Sequence, residues 1–98
     1  MTVTNNQIWN NGQWTSYAGS GIEIKDSTVA WGQVVISGNT SGNKSDDGSH
    51  PSNQVYGINL SGGSGGYATI TGNILVGNNS AGLYNTSTAA VSNVGNLP

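Results

Sequence analysis

Apolar and polar residues alternate along this chain in short bursts. The clearest are Gly21-Ile22-Glu23-Ile24, Gly57-Ile58-Asn59-Leu60 and Gly82-Leu83-Tyr84. Alternation with period two marks a strand with one buried face, and bursts of three or four positions mark very short strands. Of the 19 large aliphatics, 15 are Ile or Val, and β-branching favours strands further. No helix is predicted anywhere. Between the bursts lie Gly, Asn, Ser and Thr, the residues of tight turns.

The bursts recur. Val3-Thr4-Asn5-Asn6, Ile36-Ser37-Gly38-Asn39 and Ile70-Thr71-Gly72-Asn73 align, with their last asparagines 33 and 34 residues apart. A second asparagine site follows each, at Asn10-Asn11-Gly12, Gly42-Asn43 and Gly77-Asn78-Asn79, and then the Gly21, Gly57 and Gly82 strands. One repeat therefore reads aliphatic-x-Gly-Asn, a short spacer, Gly-Asn, a variable stretch, then Gly-Ile-x-Ile. A further, incomplete turn is expected at Val91-Ser92-Asn93, with Val91 placed 21 residues after Ile70.

Repeats of this length, each with short strands and sharp corners, suit coils of a parallel β-helix, stacked about 4.8 Å apart. Val3, Ile36 and Ile70 are then expected to stack inside. Asn6, Asn39 and Asn73 are expected to form an asparagine ladder at a corner, where amides satisfy one another and the turn backbone. The fold expected is all-β, a parallel β-helix of about three coils forming a single module over residues 1–98. The alternative is a β-sandwich, since Gly-rich turns between short strands fit that fold too.

The run from Ile70 to Leu83 resembles the coil signature of right-handed β-helix proteins of the pectate-lyase-like superfamily. Counted with Val3 and Ile36, the resemblance covers most of the chain. Within that superfamily it is most similar to β-helix segments of bacteriophage tailspikes and pre-neck appendages. The resemblance implies a homotrimer that binds, and in many members cleaves, host surface polysaccharide, on an extracellular virion tail. The motif is specific for fold and weak for function, because lyases, glycoside hydrolases, autotransporter passengers and adhesins share it.

Composition narrows the classes. Gly, Asn, Ser and Thr make up 52 of 98 residues, and only 6% are charged. With so few aliphatics disorder must be weighed, but disorder usually couples low hydrophobicity to high net charge, and the net charge here is −2. No cysteine is present, which removes a disulfide scaffold and a zinc ribbon. Two lysines and no arginine cannot neutralise a phosphate backbone, so no nucleic-acid partner is expected. No apolar run reaches the roughly 20 residues needed for membrane insertion. No signal peptide is visible at the start of the sequence.

Catalytic candidates are few. Asp46, Asp47 and His50 form the one cluster of titratable residues, in the polar stretch 41–53. They loosely resemble the paired aspartates and histidine of polygalacturonase-like β-helix enzymes, although those aspartates sit on strands and these sit in a turn-rich loop. Glu23, between Ile22 and Ile24, points outward, but its positional counterparts Asn59 and Tyr84 are not acids. Four scattered carboxylates make a poor calcium cage, so neither metal nor cofactor is expected. Gly62-Gly63-Ser64-Gly65-Gly66 lacks the Lys-Ser/Thr of a phosphate loop and reads as a loop or coil corner.

The seven aromatics are all Trp or Tyr, which carry a polar handle and tolerate half exposure. Trp9, Trp14, Trp31 and Tyr67 are the carbohydrate-binding candidates, because such rings stack on sugars while asparagines bond hydroxyls. The competing role for them is to cover coil ends or subunit contacts. Three coils would be short, with unpaired strand edges at both ends. The chain is therefore expected as a homotrimer or docked on a larger β-helix. Two functions stand against each other. One is a tailspike or fibre module giving trimer stability and host glycan binding. The other is part of a polysaccharide depolymerase, its active site completed by another segment or subunit. A repeat adhesin or structural protein is a third reading. Catalysis by this chain alone is disfavoured by its shortage of charge.

Overall fold

The computed structural model describes residues 1–11, 19–26, 31–43, 54–62 and 65–98. Trp14, Asp46, Asp47 and His50 lie outside them. The described residues contain nine strands and no helix: β1 (Thr2–Thr4), β2 (Gln7–Trp9), β3 (Gly19–Asp26), β4 (Gln33–Ser37), β5 (Thr40–Gly42), β6 (Gln54–Gly62), β7 (Tyr67–Thr71), β8 (Ala81–Asn85) and β9 (Ala90–Val94). They form three sheets, ordered β1-β4-β7-β9, β2-β5 and β3-β6-β8. Every strand pair is parallel. The fold is thus all-β with parallel sheets, which removes the sandwich alternative, since that fold is built from antiparallel sheets.

The chain visits the first sheet, then the second, then the third, and returns to the first one strand further along. Ile74 and Leu97 continue the short second sheet, bridging Thr40 to Ile74 and Ile74 to Leu97. Length differences fall mainly between the second and third sheets. That connection runs from Trp9 to Gly19 in the first pass and from Gly42 to Gln54 in the next.

Register explains the core. Val3 opposes Ile36, and Ile36 opposes Ile70. In the third sheet Ile22, Ile58 and Leu83 line up, as do Ile24 and Leu60. Ile36, Ile58, Leu60 and Ile70 are fully buried, joined by Val34, Ala68, Leu75, Ile22 and Ile24. Each large aliphatic taken from water contributes roughly 1.5–3 kcal/mol, so a thin column suffices when every pass adds to it.

The corner after the first sheet is made by Gly-Asn. Asn5, Gly38, Gly72 and Gly95 occupy the same position with φ of 58°, 66°, 62° and 65°. Three are glycine because a left-handed backbone carries no Cβ penalty there, and asparagine is the side chain that tolerates it best. The next residue enters the ladder. Asn6 N and Nδ2 each donate to Asn39 Oδ1 at 3.0 Å. Asn39 N and Nδ2 donate to Asn73 Oδ1, both at 2.9 Å. Asn73 N and Nδ2 donate to Asn96 Oδ1 at 2.8 and 2.7 Å.

Asn96 is a fourth rung, and it corrects the expected register. Ile70 pairs with Asn93, whereas Val91 pairs with Ala68. The last interval is therefore 23 residues, as between Asn73 and Asn96, not 21. Matching Val91 to Ile70 by apolar character missed Gly95-Asn96, the residues that set the corner.

A second polar cluster joins the second sheet to the start of β6. Gln54 is fully buried and donates from Nε2 to Ser41 Oγ at 3.0 Å and Asn78 Oδ1 at 2.9 Å. Its Oε1 accepts from Asn11 N at 3.2 Å. Its backbone N–H and carbonyl pair with the Asn43 side chain, both at 2.9 Å. Glycine makes the room. A Cβ on Gly57 would lie 2.7 Å from the Gly82 carbonyl and 3.1 Å from Leu75 Cδ2, and one on Gly21 would strike Ser41 Oγ.

Candidate functional site: the outer face of the third sheet

Along Ile22–Ile24 and Ile58–Leu60 buried residues alternate with outward ones, while Gly57 and Ile58 are buried in succession. Register places Glu23, Asn59 and Tyr84 in one row across this face, and Lys25 beside Ser61 in the next. Asn59 Nδ2 donates to Glu23 Oε1 at 3.4 Å, a long contact. Asn59 Oδ1 is buried and has no hydrogen-bond partner among the described residues. A buried acceptor left unpaired costs about 1–3 kcal/mol.

Tyr84 stacks on Tyr56, with ring centroids 4.4 Å apart and planes 9° from parallel. Tyr56 lies just before Gly57 on β6, and the pair forms a rigid aromatic step beside the Glu23–Asn59 contact. Tyr84 is 41% exposed, so one ring meets solvent while its partner is half-buried. The arrangement offers a flat apolar surface flanked by an amide and a carboxylate, a combination that can hold a sugar ring and its hydroxyls.

The aromatic candidates named from sequence are spread over the molecule. Trp9 is half-buried on β2, with Cζ3 3.7 Å from where a Gly42 Cβ would stand. Trp31 precedes β4 and packs against the core, with its Nε1 buried and unpartnered. Tyr67 opens β7 and is 69% exposed, between Gln33 and Ala90 in register. Trp14 lies outside the described residues.

Among the acids, Glu23 stands exposed, with Asn59 and Tyr84 as its row mates. Those row mates bring it no second carboxylate of the kind glycoside hydrolysis requires. Asp46, Asp47 and His50 lie outside the described residues. Among the described residues no three of His, Cys, Asp and Glu gather to hold a metal ion. No helix there is long and apolar enough to cross a membrane.

Sequence reasoning passed over Tyr56 and used Tyr84 and Asn59 only as counterparts of Glu23. The alignment of Gly21, Gly57 and Gly82 already put Glu23, Asn59 and Tyr84 in one row, and a row of outward polar and aromatic residues was the available signal. Tyr56 carries no such sign. Comparison with known proteins finds no matching family model, no matching curated protein and no matching solved structure.

Proposed function

We propose that this chain is a stretch of right-handed parallel β-helix, of the kind found in phage tailspikes, and that it binds neutral polysaccharide without cleaving it. The sequential visits to three parallel sheets and the four-rung asparagine ladder support the solenoid. The observation that carries the binding role is the exposed Glu23 and Tyr84, in one row with half-buried Asn59, beside the stacked Tyr56 ring. An exposed tyrosine face stacks on the apolar face of a sugar. The exposed Glu23 carboxylate beside that face can accept hydrogen bonds from hydroxyls. The near absence of charge fits a neutral glycan on a host surface, with the chain acting on a virion tail as a homotrimer.

The test is calorimetric titration with a panel of neutral bacterial polysaccharides, alongside sedimentation to obtain the mass. A trimer that binds at least one of them is the expected result. Tyr84→Ala should weaken that binding by about tenfold, the loss of one stacking contact worth about 1.4 kcal/mol. Tyr67→Ala should leave it within about twofold. Wild-type protein that ignores every neutral glycan sinks the binding role, and release of reducing ends would move the reading to a depolymerase.

A further inference from the structure

Tyr56 on β6 and Tyr84 on β8 belong to successive passes, yet their rings lie face to face, with centroids 4.4 Å apart and planes 9° from parallel. The two strands pair in parallel, with Tyr56 opposite Ala81 and Tyr84 opposite Asn59. The rings therefore bridge one pass to the next beside the backbone ladder. Tyr84 is 41% exposed and Tyr56 is half-buried, so an oxidant in solvent reaches the pair through Tyr84.

The chemistry open to such a pair is oxidative coupling. One-electron oxidation of a phenol, with loss of its proton, gives a phenoxyl radical whose unpaired electron is shared with the ring carbons ortho to oxygen. Two such radicals join through those carbons. Each joined carbon then passes its hydrogen to its own phenol oxygen, and a carbon–carbon bond between two intact phenols remains. Overall the two side chains give up two electrons and two protons. One hydrogen peroxide, acting through a haem peroxidase, takes them up and leaves as two waters. A radical with its partner already in contact couples within the molecule instead of waiting for an encounter. Tyr67 differs in this respect. It is 69% exposed but stands between Gln33 and Ala90 in register, and no ring touches it among the described residues.

We propose that Tyr56 and Tyr84 form a cross-linking site, which peroxide-driven one-electron oxidation converts to an intramolecular dityrosine stapling β6 to β8. The chain has no cysteine, so a disulfide cannot supply that staple. A covalent link between distant parts of a chain restricts its unfolded state. The joined rings meet edge to edge and must leave the stacked geometry, and the exposed side of Tyr84 gives that ring room to turn. The cross-link does not depend on glycan binding, and the ring pair alone carries it.

The test is treatment of dilute protein with a haem peroxidase and hydrogen peroxide. Dityrosine fluorescence should appear in a product that runs as a single chain in denaturing electrophoresis and is lighter by two hydrogens. Its urea midpoint should rise above that of untreated protein. Phenylalanine keeps the ring but has no phenol, so Tyr56→Phe and Tyr84→Phe should each lower the single-chain signal by about tenfold or more. Tyr67→Phe should leave that signal unchanged. Single-chain dityrosine that survives either of the first two variants overturns the site, as does product that is wholly intermolecular. Wild-type protein that keeps its mass while a tyrosine peptide in the same mixture couples overturns it too. Fragmentation mass spectrometry of the wild-type product decides the point even if a variant fails to fold: the bond should join Tyr56 to Tyr84, and a bond between other tyrosines sinks the proposal.

Discussion

The two buried polar clusters solve the same problem in different ways. At the Gly-Asn corner, asparagine stacks on asparagine, and every rung repeats the bonds of the one before. Where the second sheet leads into β6, Gln54 stands opposite Gly19 in register and binds Asn11, Ser41, Asn43 and Asn78, partners drawn from three passes. The first arrangement is periodic and depends only on the stacking offset. The second depends on what faces Gln54 across the interior and on the glycines that let it approach. Burial of polar groups is tolerated in both because the donors find acceptors.

Four substitutions probe that contrast by equilibrium unfolding in urea. The largest effect is expected for Asn73→Ala. It leaves Asn39 N without its acceptor, removes one of the acceptors of Asn39 Nδ2 and one donor each from the Ile36 and Thr71 carbonyls, and it should cost roughly 3–4 kcal/mol. A loss below about 1 kcal/mol would show that the ladder contributes little beyond what solvent supplies. Gln54→Leu keeps volume but leaves Asn78 Oδ1 without that donor and Asn11 N without that acceptor, and roughly 2–3 kcal/mol should be lost. If it matches Asn73→Ala, the clusters are energetically equal and periodicity confers no advantage.

Glycine substitutions sharpen the same distinction at smaller scale. Gly72 has φ of 62° and open space where a Cβ would stand, so Gly72→Ala should cost about 1 kcal/mol from backbone conformation alone. Asn5 stands where later passes have glycine, at φ 58°, and Asn5→Gly should change stability by no more than about 0.5 kcal/mol. A larger change at Asn5 would mean that its side chain does more than tolerate the corner.

Much of the fold was legible because a repeat aligns like with like. Ile36 over Ile70 and Asn39 over Asn73 follow from an offset of 34 residues, and the aligned glycines Gly57 and Gly82 within β6 and β8 set a second row. The last pass was harder to read. Its aliphatic position is filled by Asn93, so apolar matching slid to Val91 by two residues. At the candidate site, Glu23, Asn59 and Tyr84 were readable as a row, but the Tyr56–Tyr84 stack was not. Tyr84 opposes Asn59 in register, three positions from Tyr56, which strict alternation would put on the opposite face; Gly57 and Ile58 are buried in succession and break that alternation.

The sequence alone determined the strands, the Gly-Asn corners and three rungs of the ladder, because those are set by residues that recur at a fixed offset and meet their own kind. Only the tertiary structure decided that Gln54 is buried, that Gly57 is glycine to clear the Gly82 carbonyl, that Asn93 takes a bond from the last rung, and that two tyrosines stack. These contacts join unlike residues across the interior or along a face, and the spacing of residues along a chain does not encode how wide that interior is.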